Sequence, residues 1–461
     1  MDDLAINPYL AGNFAPLRSE NDFTLEIAGE APRDLHGRLL RIGPNPQFDP
    51  LEPFHWFTGD GMVHAFCFDD GVVTYLNRYV ETPRWRLENQ AGRALFASFD
   101  PSRNDPLAEG HDSGVANTSV IQHAGRLLAL NESYPPFELT GEGLRPVGYL
   151  AGYGPRMTAH PKCDPVTGEL HWFAYGAAGP FDPTITYGVT DRAGRTEVRK
   201  RFDAPHASMI HDFIISENYV LIPVPPLTAS RERAEKGAPP IAWEPDLPTW
   251  LAVFRKDGRG EVRWFRGEAA HVFHVVNAWE EGDQIHADVF LYPSAPMFPL
   301  ADGSPVKHSL ARLHRWTVNC GTASDELLCQ PLDDLDGEFP RLDERWTGKR
   351  HRHLWYGADT ADQNKSEPIR LNSLVHLDQR LGRRTIFELP EGDLTSEPVF
   401  IPRRADAPEG DGWLSAVIWR WAENRSDLLL FNAMDVGAGP LMTARLPQRV
   451  PFGFHGTWVP G

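Results

Sequence analysis

An all-β fold is what this 461-residue chain predicts, and three observations carry that reading. Forty Gly and 41 Pro leave few windows with a sustained helical period. Short apolar runs rich in β-branched and aromatic residues recur along the whole length. Turn chemistry separates them, as in Asp69-Asp70-Gly71, Asp164-Pro165-Val166-Thr167-Gly168, Lys256-Asp257-Gly258 and Glu409-Gly410-Asp411-Gly412. A sandwich, a barrel or a propeller would each satisfy this pattern.

In chain order the strand-like runs are 37–42, 62–68, 72–80, 119–129, 169–175, 219–224, 251–255, 284–291, 310–318, 384–388, 413–421 and 428–435, with a further one at 441–450. One helix is expected at 85–96, where Leu87, Ala91 and Leu95 would share a face. Segments 228–248 and 292–306 are Pro-rich and break the rhythm, so both read as long excursions on one face, where a lid would sit. No linker or low-complexity segment interrupts the chain, which reads as one domain over 1–461.

Composition excludes several classes of function. A formal charge of −18 argues against a nucleic-acid partner, because phosphate binding needs concentrated Lys and Arg. Met1-Asp2-Asp3-Leu4 is acidic and lacks the apolar core of a secretory signal, and no run is long enough to span a membrane. Cys67, Cys163, Cys320 and Cys329 are scattered without a CxxC; Cys320 and Cys329 could pair, but reduced thiols and a cytoplasmic location fit better. No GxGxxG phosphate loop is present.

Four histidines have similar apolar surroundings: His160 in Thr158-Ala159-His160-Pro161-Lys162, His211 in Ile210-His211-Asp212-Phe213, His274 in Phe273-His274-Val275-Val276-Asn277, and His455 in Phe452-Gly453-Phe454-His455-Gly456. From 160 to 211 is 51 residues, from 211 to 274 is 63, and from 274 to 455 is 181, about three further steps of that size. A propeller would place one such residue per four-stranded blade around its axis. Four neutral imidazoles without thiolates suit iron, copper, nickel or zinc. Each ring needs its second nitrogen anchored, and Glu132, Glu338 and Glu397 sit in apolar or Pro-flanked settings suited to that task. His206, His271 and His286 are rival neighbours, as are His55 and His64 around Gly59-Asp60-Gly61.

Taken together, these segments resemble the carotenoid cleavage oxygenase family, nearly end to end. The resemblance runs through Asn7-Pro8-Tyr9-Leu10, Arg41-Ile42-Gly43-Pro44-Asn45-Pro46, Phe57-Thr58-Gly59-Asp60-Gly61-Met62, Ala159-His160-Pro161-Lys162, His211-Asp212-Phe213, Asn277-Ala278-Trp279-Glu280, Glu338-Phe339-Pro340-Arg341, Ser396-Glu397-Pro398-Val399-Phe400 and the His455 segment. It implies a seven-bladed β-propeller with iron(II), Fe(2+), held by His160, His211, His274 and His455. It also implies that Glu132, Glu338 and Glu397 each bond a ligand histidine. Arg86-Leu87-Glu88-Asn89, Gly92-Arg93-Ala94-Leu95-Phe96, Ala116-Asn117-Thr118 and Arg341-Leu342-Asp343-Glu344-Arg345 look most like the bacterial lignostilbene branch. That branch holds a substrate phenol with a Tyr and a Lys, where this chain has Phe99 and Asn131. The implied reaction is cleavage of a conjugated alkene by dioxygen to two carbonyl products, with Phe57, Phe99, Asn131, Phe273 and Trp279 as pocket candidates. Aryl alkenes are the expected substrates, with apocarotenoids the alternative; a non-oxidative isomerase or a metal-free binding propeller is the rival of another class.

Overall fold

The computed structural model describes residues 7–154, 156–307, 310–360 and 369–461, so the expectation for Met1-Asp2-Asp3-Leu4 lies outside them. The chain divides into two compact units: Met1–Ala151 with Thr360–His376 and Arg384–Gly461, and Gly152–Asp359 with Leu377–Arg383.

The first unit carries three antiparallel sheets. One has the order Asp22–Thr24, Val72–Tyr79, Gly61–Asp69, Gly37–Pro44, Gly456–Pro460, so the last strand of the chain closes onto one of the first. Ser119–His123, Arg126–Leu130, Phe137–Leu139 and Pro146–Tyr149 form a meander. The third sheet runs Glu26–Gly29, Met442–Arg445, Arg425–Asn432, Gly412–Arg420, Leu394–Thr395, with Val399–Pro402 also on Gly412–Arg420. Val72–Tyr79 alternates inward and outward side chains, whereas Gly412–Arg420 is covered on both faces. The hairpin turns take the left-handed backbone that a right-twisted ribbon needs: Asp70 and Gly71 have φ of 45° and 78°, Ala124 and Gly125 of 50° and 72°. That second turn splits the expected run 119–129 into two strands. Apolar clusters fill the spaces between sheets, as where Leu39, Phe66 and Tyr75 meet Val399, Trp413 and Leu428.

The second unit carries two four-stranded sheets, Lys162–Cys163 to Thr196–Asp203 and Ile214–Ile215 to Arg263–Gly267. A longer sheet follows in chain order, with His271–Glu281, Gln284–Tyr292, Arg312–Asn319, Leu328–Leu342 and His353–Asp359 in this unit. Its fourth strand, Leu328–Leu342, serves two neighbours: residues 328–331 pair mainly with Arg312–Asn319, and 336–342 with His353–Asp359. That sheet is therefore two blades sharing one strand. Counted so, and apart from the two-stranded hairpin of Leu227–Ala229 with Ile241–Trp243, the described residues form seven blade-like sheets.

Two expectations need adjustment. The helix is Pro83–Ala91, not 85–96: Thr82 caps it, Pro83 takes the first turn, and Gly92 ends it at φ 70°. Leu95 lies beyond the helix, where its backbone N–H donates to Glu88 Oε1 at 2.7 Å. The excursion 228–248 is more ordered than a loop, with a hairpin of Leu227–Ala229 and Ile241–Trp243 around a helix at Arg231–Glu235. The Trp243 backbone N–H donates to the Pro299 carbonyl at 2.8 Å, so the two excursions pack side by side.

Candidate metal centre

His455 is set by the backbone on both sides of it. Phe454 N–H donates to the Ile42 carbonyl at 2.9 Å, and Ile42 N–H donates to the His455 carbonyl at 3.0 Å. A Cβ on Gly43 would stand 2.5 Å from the Gly453 Cα, so only glycines permit this approach. Buried Phe454 packs on Trp56 with ring centroids 4.3 Å apart and fixes the strand entry. Glu397, itself buried, accepts from His455 Nδ1 at 2.8 Å and from Gly456 N–H at 2.7 Å. With Nδ1 as the donor, Nε2 is the nitrogen that carries the ring's lone pair.

His274 reaches the same condition by a different route. Its strand, His271–Glu281, shifts register between Val272 and Val275 and again between Val275 and Asn277. The partner-bearing strand shifts between Glu338 and Arg341. Such bulges re-aim side chains, and here they bring His274 Nδ1 to 2.5 Å from Glu338 Oε2. Phe339 follows at φ 56°, a left-handed conformation costing about 1–2 kcal/mol. Its N–H donates to the same Glu338 oxygen at 2.5 Å, and its ring lies 5.1 Å from that of His274.

Three ligand-bearing segments are laced together by side chains that the sequence reading quoted without assigning a role. The buried Thr158 hydroxyl accepts from His160 N–H at 2.9 Å and donates to the His211 carbonyl at 3.4 Å. Lys162 Nζ pairs with Asp212 Oδ1 at 2.7 Å, and Asp212 Oδ2 accepts from Val275 N–H at 3.2 Å. Each tie begins one or two residues from a histidine, so adjacency to His160, His211 and His274 was the available signal.

The outcome is a cluster: His160, His211, His274 and His455 each offer a nitrogen, all within 4.8 Å of one another. His160 Nε2 and His211 Nε2 are 2.9 Å apart. Ligands about 2.1 Å from one ion lie roughly 3.0 Å apart at right angles and roughly 4.2 Å apart when opposed. The cluster fits a single small cation, and neutral imidazoles with carboxylate-anchored Nδ1 atoms suit a transition metal.

The other named residues fall as follows. Glu132 and Asn131 are half-buried, and the Asn131 amide oxygen accepts from Val115 N–H at 3.2 Å. Phe57 is half-buried with its ring 5.7 Å from Phe454, and Phe99 is 61% exposed, edge-on to His55. Phe273 is buried, edge-on to His211 at 5.5 Å. Trp279 lies between His286 and His351. His206 and His286 are bonded to the Pro225 carbonyl and the Thr317 hydroxyl, and neither joins the cluster. All four cysteines are free thiols. Among the described residues no helix is long and apolar enough to cross a membrane.

The model of the family described as retinal pigment epithelial membrane protein matches residues 14–460. Isoeugenol monooxygenase of Pseudomonas putida is 38% identical over 98% of both chains. Lignostilbene-α,β-dioxygenase isozyme III of Sphingomonas paucimobilis is 34% identical over 98% of this chain and 96% of its own. The solved lignostilbene dioxygenase of Pseudomonas brassicacearum superposes with a TM-score of 0.94 at 36% identity, covering 99% of each chain. This chain therefore belongs to the carotenoid oxygenase family, whose seven-bladed β-propeller fold it shares, and is an alkene-cleaving oxygenase.

Proposed function

We propose that the protein is an iron(II) dioxygenase that cleaves the C=C bond of a conjugated aryl alkene, a stilbenoid or phenylpropene, to two carbonyl products. One double bond breaks, two C=O bonds form, and both oxygen atoms come from one dioxygen, so no external reductant enters the balance. The observation that carries this reading is the four-imidazole cluster with carboxylates on His274 and His455. The aryl class is supported by 38% identity to isoeugenol monooxygenase and 34% to lignostilbene dioxygenase.

In this reading His160, His211, His274 and His455 hold the metal, while Glu338, Glu397 and Glu132 orient three of the rings. Iron(II), when bound, supplies the electron density that lets dioxygen react with an electron-rich double bond. The protein's own part is geometric and electrostatic. Buried Glu338 and Glu397, with half-buried Glu132, offset a divalent charge, and the apolar walls exclude water and align the alkene. Phe273, against His211, and Phe339, against His274, are aromatic walls beside the centre. The chain acts as one propeller domain in the cytoplasm.

Purified protein should carry close to one iron per chain, with full zinc occupancy and no iron as the contrary result. Incubation with stilbenes, phenylpropenes and apocarotenals, with the aldehydes identified by mass, tests the substrate class. Turnover confined to apocarotenals would replace aryl alkenes with polyenes.

A further inference from the structure

His271 is 1% exposed, and among the described residues neither of its ring nitrogens has a hydrogen-bond partner. Other buried or half-buried histidines have at least one ring nitrogen bonded: His64 to Tyr75, His171 to Tyr187, His206 to the Pro225 carbonyl, His286 to Thr317 and His351 to Gln379. A buried donor and acceptor left unused is rare and costly, and such groups mark places where something other than the fold supplies the partner. Burial, then the neighbouring His211 and His274, push the His271 ring down to about 3, so it is neutral and offers one donor and one acceptor.

Its position says which partner. The His271 ring meets Phe273 edge-on at 4.4 Å, and Phe273 in turn meets His211 edge-on at 5.5 Å. His271 is thus one aromatic ring removed from a proposed metal ligand. Its cross-strand neighbour Tyr292 is buried too, with ring centroids 6.3 Å apart. The rings of Phe273 and Tyr292 lie against this imidazole, and the Tyr292 hydroxyl is bonded to Glu338. A site of that kind takes a flat apolar ligand carrying one polar atom.

We infer that His271 hydrogen-bonds a hydroxyl or carbonyl oxygen borne on the ring of the aryl alkene, and so sets substrate preference. Asn131 has its amide oxygen engaged by Val115, whereas His271, on the strand that carries His274, has both ring nitrogens unengaged among the described residues. The inference rests on the aryl-alkene reading above.

The test compares trans-4-hydroxystilbene with unsubstituted trans-stilbene on the iron-loaded protein, with His271→Phe, His271→Leu and His271→Gln beside wild type. A second arm measures the Kd of 4-hydroxybenzaldehyde and benzaldehyde without oxygen. His271→Phe should lose about 10- to 100-fold in kcat/KM on the hydroxylated stilbene, with the unsubstituted one changed by less than about threefold. The aldehyde Kd values should show the same split, and His271→Gln, which keeps a donor and an acceptor, should recover part of it. His271→Leu carries the comparison if the larger Phe prevents folding. Equal loss on both stilbenes, or no loss on either, overturns the role of His271 alone. Wild-type protein inert toward both stilbenes but active on apocarotenals overturns the aryl-alkene reading, and the inference with it.

Discussion

Two pairs of buried histidines set the blades against the centre. In the blades, His64 and His171 hold their Nδ1 atoms 2.7 Å from the phenol oxygens of Tyr75 and Tyr187. At the centre, His274 and His455 hold theirs 2.5 and 2.8 Å from the carboxylates of Glu338 and Glu397. The ring is the same and all four are nearly closed to water. A neutral phenol completes a core hydrogen bond and asks nothing of the other nitrogen. A carboxylate makes the ring a stronger base and aims Nε2, which has value only if a cation receives it. In the proposed reading, the atom opposite Nδ1 separates the ligand histidines His274 and His455 from the packing histidines His64 and His171.

Breaking the comparison at the ligands should give the largest effect. His274→Ala should remove iron from the purified protein and abolish aldehyde formation, whereas His171→Gln should keep both and lower only the melting temperature. Metal analysis with a turnover assay decides it, and normal turnover by His274→Ala would remove that residue from the centre. Next in size is the anchor: Glu338→Gln keeps the shape but replaces an anion by an amide. Its affinity for iron(II), or for cobalt(II) as a spectroscopic probe, should fall about 10- to 100-fold. An unchanged affinity would mean that the 2.5 Å contact is packing only.

The same contrast explains what could be read from the chain and what could not. Apolar short segments marked His160, His211, His274 and His455, but His206, His271 and His286 looked equally apt among 18 histidines, and the family resemblance singled out the four together with Glu338 and Glu397. Nothing in the residue string announces a register shift, so the bulges that turn His274 and Glu338 toward each other were invisible. Asp212 was hidden for another reason. Its bonds to Lys162 and Val275 join segments about 50–60 positions away, which local pattern cannot connect. Strand Leu328–Leu342 was missed because its middle, Asp333-Asp334-Leu335-Asp336-Gly337, is too polar and turn-like, although pairing on both sides holds it extended.

A smaller effect is expected where a phenol is removed. Tyr187→Phe deprives His171 Nδ1 of its partner and cuts the bond from Tyr187 Oη to the Lys256 carbonyl, at 3.1 Å. The loss should be about 1–3 kcal/mol of stability with iron content unchanged, read from denaturant midpoints. A loss of iron in that variant would dissolve the distinction between the two kinds of histidine.

Acid gives the finest test. Burial first, and then a nearby cation, push His64 and His171 down to about 3, with Arg41 the cation for His64 and Lys256 for His171. Unfolded, the same rings titrate near 6.5. Above that pH neither state binds a proton and the contribution to stability is full. As pH falls below 6.5 the unfolded chain takes up protons that the folded rings refuse, so stability declines down to about pH 3. Each ring therefore removes about 1 kcal/mol over the first unit below 6.5, approaching about 1.4 kcal/mol per unit below that. Replacing His171 with Gln should flatten the dependence of melting temperature on pH between 6.5 and 5.5 by one ring's share, measured on metal-free protein so that the centre's own histidines contribute equally to both curves. Parallel curves would mean that His171 is protonated in the fold, and the phenol would then be accepting from an imidazolium rather than completing a neutral core.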